Sequence, residues 1–116
     1  ILEKIDTEVK FRVIDPVGYF DIIELLKHAS LVMTDSGGLQ KEAFFFKNPC
    51  VTMRDETEWV ELVEHGFNAV VGAETDRILS AVKSMRSKAD SLDFSIDLYG
   101  QGKATHHITD AIVSME

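Results

Sequence analysis

The sequence predicts an α/β fold, a parallel sheet flanked by helices on both faces. Short apolar runs alternate along the chain with segments of helical spacing, and the connections between them are short. Strands joined through helices run parallel, and the helices then cover both faces of the sheet. A third sign is the small-residue turn Ser36-Gly37-Gly38, set between an apolar run and a helical segment. In such sheets ligands bind at the carboxyl ends of the strands, where that turn lies.

Residues 9–14 read as a first strand, with Phe11, Val13 and Ile14 apolar, before Asp15-Pro16-Val17-Gly18 breaks the chain. Residues 19–29 follow as a helix with Phe20, Ile23 and Leu26 on its apolar stripe. His28 near its end reads as a favourable cation for the helix C-terminus. Residues 31–34 form the second strand and residues 38–46 the second helix, in which Phe44-Phe45-Phe46 reads as packing. After the turn Lys47-Asn48-Pro49, residues 50–53 form a third strand. Thr57 caps a helix running to His65, and Gly66 stops it. Residues 69–71 make a fourth strand, and Thr75 begins a helix with Ile78, Leu79, Val82 and Met85 on one face. Residues 87–95 read as polar and irregular. The glycine-rich link Leu98-Tyr99-Gly100-Gln101-Gly102 leads to a last helix with Ile108, Ala111, Ile112 and Met115 on its apolar face. His106 and His107 are adjacent and point to different faces, which argues against a shared metal.

Physically, the stretch Thr34-Asp35-Ser36-Gly37-Gly38-Leu39-Gln40-Lys41-Glu42 suits an anion. The first N–H groups of a helix lack intrahelical partners and carry the positive end of its dipole. Gly37 and Gly38 let a phosphate approach them, and Ser36 can cap the helix or donate its hydroxyl. Glu42 lies six positions beyond Ser36, roughly 9 Å at about 1.5 Å per residue. That is close to the span from a pyrophosphate to a ribose, whose hydroxyls a carboxylate can accept. The same pattern also suits a tight turn with a capped helix and no ligand, since two glycines fall short of a full dinucleotide or P-loop fingerprint.

With 116 residues, 45% of them hydrophobic, the chain is one domain or part of one, and its start at Ile1 reads as a piece of a longer protein. No apolar run approaches the roughly 20 residues of a membrane helix, and no basic-then-apolar leader is present. Twenty acids against 12 bases give a net charge of −8, which argues against nucleic acid and anionic membranes as partners. A diphosphate would have to be held locally, by oriented amides and one or two placed cations. The single cysteine, Cys50, reads as a buried thiol, with no base beside it to make a nucleophile. Its solitary use suits a reducing, cytoplasmic compartment.

Several of these stretches occur together in one family. Asp15-Pro16 with Tyr19, the Thr34 to Ala43 stretch, Pro49, Met53-Arg54-Asp55-Glu56-Thr57-Glu58 and Gly100-Gln101-Gly102-Lys103-Ala104 fall in its order and spacing. From about Asp15 onward the chain resembles the C-terminal part of the non-hydrolysing UDP-N-acetylglucosamine 2-epimerases. That resemblance implies a Rossmann-like sheet forming part of the C-terminal domain of a glycosyltransferase-B architecture, with the N-terminal domain outside this chain. It implies that Ser36, Gly37 and Gly38 hold the diphosphate of UDP, that Glu42 takes the ribose hydroxyls, and that the Tyr19 to Ile23 segment, with Ile22, lies by the uracil. Arg54 is counted with these UDP-binding candidates. No catalytic residue is assigned here, because the family's acid–base carboxylates lie in the other domain. The resemblance further implies C2 inversion by elimination and re-addition of UDP, no cofactor or metal, a homodimer at full length, and a role in making cell-surface polysaccharides.

Two departures stand out. Many members have Thr-Glu-Arg-Pro-Glu where this chain has Thr57-Glu58-Trp59-Val60-Glu61, and most have an aspartate at Gln101. The tryptophan version resembles a subgroup acting on UDP-activated diacetamido-uronic acids. The other readings are half of a UDP-sugar glycosyltransferase, which fits the Met53 to Glu58 stretch less well, and a non-catalytic nucleotide-binding module. The chain alone is expected to be inactive. With about two strand–helix units of the domain before Ile1, its first strand is expected to lack neighbours and to repack or drive self-association.

Overall fold

The computed structural model describes residues 8 and 10–115. Three strands, β1 (Val32–Thr34), β2 (Cys50–Thr52) and β3 (Asn68–Val70), form a parallel sheet in the order β1-β2-β3. Val32 pairs with Cys50 and Cys50 with Asn68, so the three strands start level and end level. The helices are α1 (Tyr19–His28), α2 (Gly37–Phe45), α3 (Val60–Glu64), α4 (Thr75–Lys88) and α5 (Ala104–Ser114), with a 3-10 turn at Ala89–Ser91. Alternation of strand and helix, parallel pairing and helices on both faces agree with the expected fold class.

Side chains alternate across a strand, so one face of the sheet takes Val32 and Cys50 and the other takes Val51. The first face packs Leu26 of α1 and Ala43 of α2, with Ile22, Ala29, Leu39 and Phe46 around them. The opposite face packs Val51 and Val71 on Met85 of α4, with Ile78, Ala81 and Val82 alongside. A third cluster joins Phe44 of α2 to Leu62 of α3 and to Phe67. Asn48 fastens α1 to the start of β2 by donating its amide to the Leu26 carbonyl at 2.6 Å. Gly66, at φ 80°, turns the chain out of α3 in the left-handed region that glycine tolerates.

Four expectations need correction. Residues 10–14 form no strand, and Phe11 is 73% exposed; Val9 lies outside the described residues. Among the described residues they have no strand to pair with, and a strand is stable only through its ladder. Thr57 is not a helix cap, because α3 begins at Val60 and Thr57 is drawn instead onto Gln40 of α2. The 87–95 stretch is neither wholly irregular nor wholly polar in role. Residues 87 and 88 complete α4, and Leu92 and Phe94 pack on the Phe44 cluster. Finally, the apolar face of α5 covers nothing among the described residues: Ile108, Ile112 and Met115 are all exposed.

The remaining elements deviate by a residue or two at their ends, as helix and strand boundaries do. Cys50 is buried in β2, and burial raises its thiol to about 11. His28 ends α1 with its Nε2 3.1 Å from Glu24 Oε1. Among the described residues no helix is long and apolar enough to cross a membrane.

Candidate functional site

The parallel pairing gathers the ends of β1 and β2, and the starts of α2 and α3, along one edge of the sheet. The Asp35–Ser36 connection between β1 and α2 opens there. Ser36 is the N-cap of α2 with extended backbone, and its side chain caps nothing. Its N–H donates to Thr34 Oγ1 at 2.9 Å, a local turn in which the threonine hydroxyl takes up a main-chain donor. Among the described residues, the N–H groups of Gly37, Gly38 and Leu39 have no acceptor. These three donors open the helix and carry the positive end of its dipole. No side chain stands within 4 Å of where a Cβ on Gly38 would project, so the approach over Gly38 is open.

On the far side of the turn a charged pair stands guard. Arg54 Nη1 lies 3.2 Å from Glu58 Oε2, with both side chains partly exposed. The Glu58 carboxylate sits so close to Gly37 that a Cβ there would collide with it. A side chain at Gly37 would have to displace the Glu58 carboxylate, the flexible end of a partly exposed glutamate. Arg54 Nη1 is 3.6 Å from the same point, which brings this cation to the mouth of α2. A partly exposed pair of this kind contributes roughly 0–1 kcal/mol, little enough for Arg54 to exchange Glu58 for a phosphate.

The carbonyl side of the turn is tied down. Gln40, 1% exposed, donates its amide to the Ser36 carbonyl at 3.2 Å. Gln40 Oε1 in turn accepts from Thr57 Oγ1 at 2.6 Å and from Asn68 Nδ2 at 2.9 Å, while Thr52 Oγ1 donates to Asn68 Oδ1. A buried network therefore runs from β3 through α2 to the turn, with none of its side-chain atoms left unsatisfied. The indole N–H of Trp59 donates to the Gly37 carbonyl at 2.8 Å. Lys41 lies over the Trp59 ring at 4.5 Å and over Tyr99 at 4.4 Å. Tyr99 donates its hydroxyl to Glu61 at 2.6 Å; burial and then this bond raise the phenol, and the bond lowers the carboxyl.

The structure thus brings Ser36, Gly37, Gly38 and Arg54 together. Glu42 follows Gly38 by one helical turn, on the same open side of α2 and partly exposed. Tyr19 begins α1 and is 60% exposed, its ring set against Phe20 rather than the turn. Ile22 is half-buried and packs toward Leu39 and Val32 rather than outward. Sequence reasoning missed Gln40, Trp59 and Glu58 as parts of this site. A polar residue amid the apolar positions of α2 was the available signal for Gln40; Trp59 stood out in the sequence as a departure from the family's pattern, but not as a partner of the turn.

Comparison with known proteins adds the following. The sequence model of the UDP-N-acetylglucosamine 2-epimerase family matches residues 1–113. A UDP-2,3-diacetamido-2,3-dideoxy-D-glucuronate 2-epimerase from Pseudomonas aeruginosa is 47% identical over 99% of this chain and 32% of its own length. A UDP-N-acetylglucosamine 2-epimerase from Methanocaldococcus jannaschii is 39% identical over 93% of this chain and 29% of its own. A crystal structure of the M. jannaschii enzyme in complex with UDP-GlcNAc and UDP superposes with a TM-score of 0.80 at 37% identity, over 97% of this chain and 30% of that one. The chain spans about a third of the length of the curated relatives it matches.

Proposed function

The chain belongs to the UDP-N-acetylglucosamine 2-epimerase family, and from that premise we propose that it is the UDP-holding part of such an epimerase. The observation that carries this is the turn at the start of α2, with three unpartnered amides, two glycines and Arg54 converging on one open approach. In this reading the Gly37, Gly38 and Leu39 amides and the Ser36 hydroxyl hold the diphosphate, and Arg54 moves from Glu58 to a phosphate oxygen. Glu42 accepts the ribose hydroxyls, and the segment from Tyr19 through Ile22 borders the base largely through its backbone. The chain belongs to the C-terminal domain of a glycosyltransferase-B architecture and works in a homodimeric, cytoplasmic protein.

The reaction is inversion at C2 of the sugar. The C2 proton is removed and the C1–O bond to UDP breaks, giving a glycal and free UDP. UDP then adds back at C1 while a proton is delivered to the other face of C2. Negative charge develops on the departing diphosphate, where fixed amides and a helix dipole lower the barrier most effectively. The proton-transfer groups come from the rest of the protein, so this chain alone binds UDP without turning it over.

A UDP-diacetamido-uronic acid is the second substrate reading, favoured by the 47% identity to the P. aeruginosa enzyme against 39% for the M. jannaschii one. One experiment addresses both. The protein at its natural length is incubated in D2O with each UDP-sugar, and deuterium at C2 is followed by NMR. Uptake of deuterium into one sugar and its epimer identifies the substrate. Absence of exchange with both, by protein shown to bind UDP, would overturn the epimerase reading.

A further inference from the structure

We propose that Trp59 is a positioning residue for the diphosphate, its indole N–H holding the Gly37 carbonyl so that the first amides of α2 face the ligand. The inference rests on the diphosphate reading of the turn. Three main-chain groups of that turn are held by side chains. Thr34 Oγ1 accepts from the Ser36 N–H, Gln40 donates to the Ser36 carbonyl, and Trp59 donates to the Gly37 carbonyl. What remains free is the row of N–H groups at Gly37, Gly38 and Leu39.

A peptide carbonyl and the N–H of the next residue belong to one rigid plane. Fixing the Gly37 carbonyl therefore fixes the direction of the Gly38 N–H. The ligand then meets donors already oriented, and no reorganisation is charged against its binding. The turn needs such a tie because two consecutive glycines give it wide conformational freedom.

Trp59 is equipped for the task. It sits at the N-cap of α3, 22 residues beyond Gly37, so its bond couples the β2–α3 connection to the β1–α2 turn. Its ring is held from two directions, by the Lys41 ammonium over its face and by Tyr99 edge-on at 6.3 Å and 90°. A packing role would call for the ring alone. The 2.8 Å bond from Nε1 to a particular main-chain oxygen calls for the N–H.

The test compares UDP with uridine, using the protein at its natural length and calorimetric titration. Trp59→Phe keeps a ring against Lys41 and Tyr99 but has no donor. Site-specific replacement of Trp59 by benzothienylalanine keeps the bicyclic shape and removes only the N–H. The wild type must bind UDP more tightly than uridine; equal binding would overturn the diphosphate reading and the role of Trp59 with it. Given that preference, both variants are expected to lose about three- to tenfold in UDP affinity, the ordinary contribution of one hydrogen bond, with uridine affinity within about twofold of wild type. Unchanged UDP affinity in the benzothienyl variant, or parallel loss of UDP and uridine affinity, would show that Trp59 only packs and would overturn the proposal.

Discussion

Gly38→Ala separates what the turn does for the fold from what it does for a ligand. Gly38 has no neighbour within 4 Å of a would-be Cβ, and its φ is not positive, so alanine fits without strain. An added methyl in a helix lowers the entropy of the unfolded chain and stabilises by about 0.5–1 kcal/mol, with the lower figure appropriate to the second helical position. A helical Cβ leans toward the N-terminus. Here the methyl would project into the space through which a phosphate oxygen reaches the Gly38 and Leu39 amides. Displacing even one charge-assisted hydrogen bond costs about 1.5–3 kcal/mol, or roughly 10- to 100-fold in affinity. The variant should therefore unfold no earlier than wild type on heating while losing at least about tenfold in UDP affinity by calorimetry. Wild-type UDP affinity in a stable Gly38→Ala protein would mean that nothing approaches the start of α2 closely, and the site would have to be sought elsewhere.

Three further outcomes follow from the same geometry. Glu42→Ala should weaken UDP and uridine alike, by about tenfold for a lost charged acceptor, and leave binding of inorganic pyrophosphate unchanged; selective loss of pyrophosphate binding would place Glu42 on the wrong group. Glu58→Gln should strengthen UDP binding by about two- to fivefold at low salt, because it frees Arg54 and removes a carboxylate beside Gly37. Weaker binding instead would show that the Arg54–Glu58 pair holds the site in shape. Burial lifts the Cys50 thiol from 9.0 to about 11, so the unfolded chain ionises first as pH rises. The contribution of Cys50 to stability is then complete below about pH 9 and is lost between about pH 9 and 11. Urea unfolding across that range should show the loss in wild type and a shallower slope in Cys50→Ala.

The elements read correctly from sequence are those whose signal is also their packing. Ile78, Leu79, Val82 and Met85 are spaced for one helical face; Ile78, Val82 and Met85 meet Val51 and Val71, while Leu79 at its edge stays exposed. The strand–turn–helix junction at Ser36-Gly37-Gly38 was legible because its signal is local: a strand end, two glycines and a helix start lie in consecutive residues. Residues 10–14 carry strand-like alternation, yet a strand exists only with a neighbour, and the described residues provide none. Thr57 had every local mark of a cap; the acceptor that claims it, Gln40, is 17 residues away. Phe94 lies in a largely polar stretch, and Phe44 and Phe67, brought near by α2 and α3, half-bury it beside Leu92. Gln40 and Trp59 were missed as supports for the same reason, since each acts through a partner chosen by the tertiary fold.

The two halves of the proposed nucleotide site are consequently held to different degrees. The side chains that hydrogen-bond to the proposed diphosphate turn, Thr34, Gln40 and Trp59, are buried or half-buried, and Gln40 is itself held by Thr57 and Asn68. The nucleoside half depends on the start of α1, where packing falls away along the helix. Leu26 is buried and its carbonyl is held by Asn48, Ile22 is half-buried, and Tyr19 and Phe20 touch mainly each other, their rings 6.2 Å apart. Residues 10–17, which lead into that end, are exposed. In the proposed site, affinity for a diphosphate would then be set by the turn itself, and discrimination among bases by whatever fixes the first turn of α1.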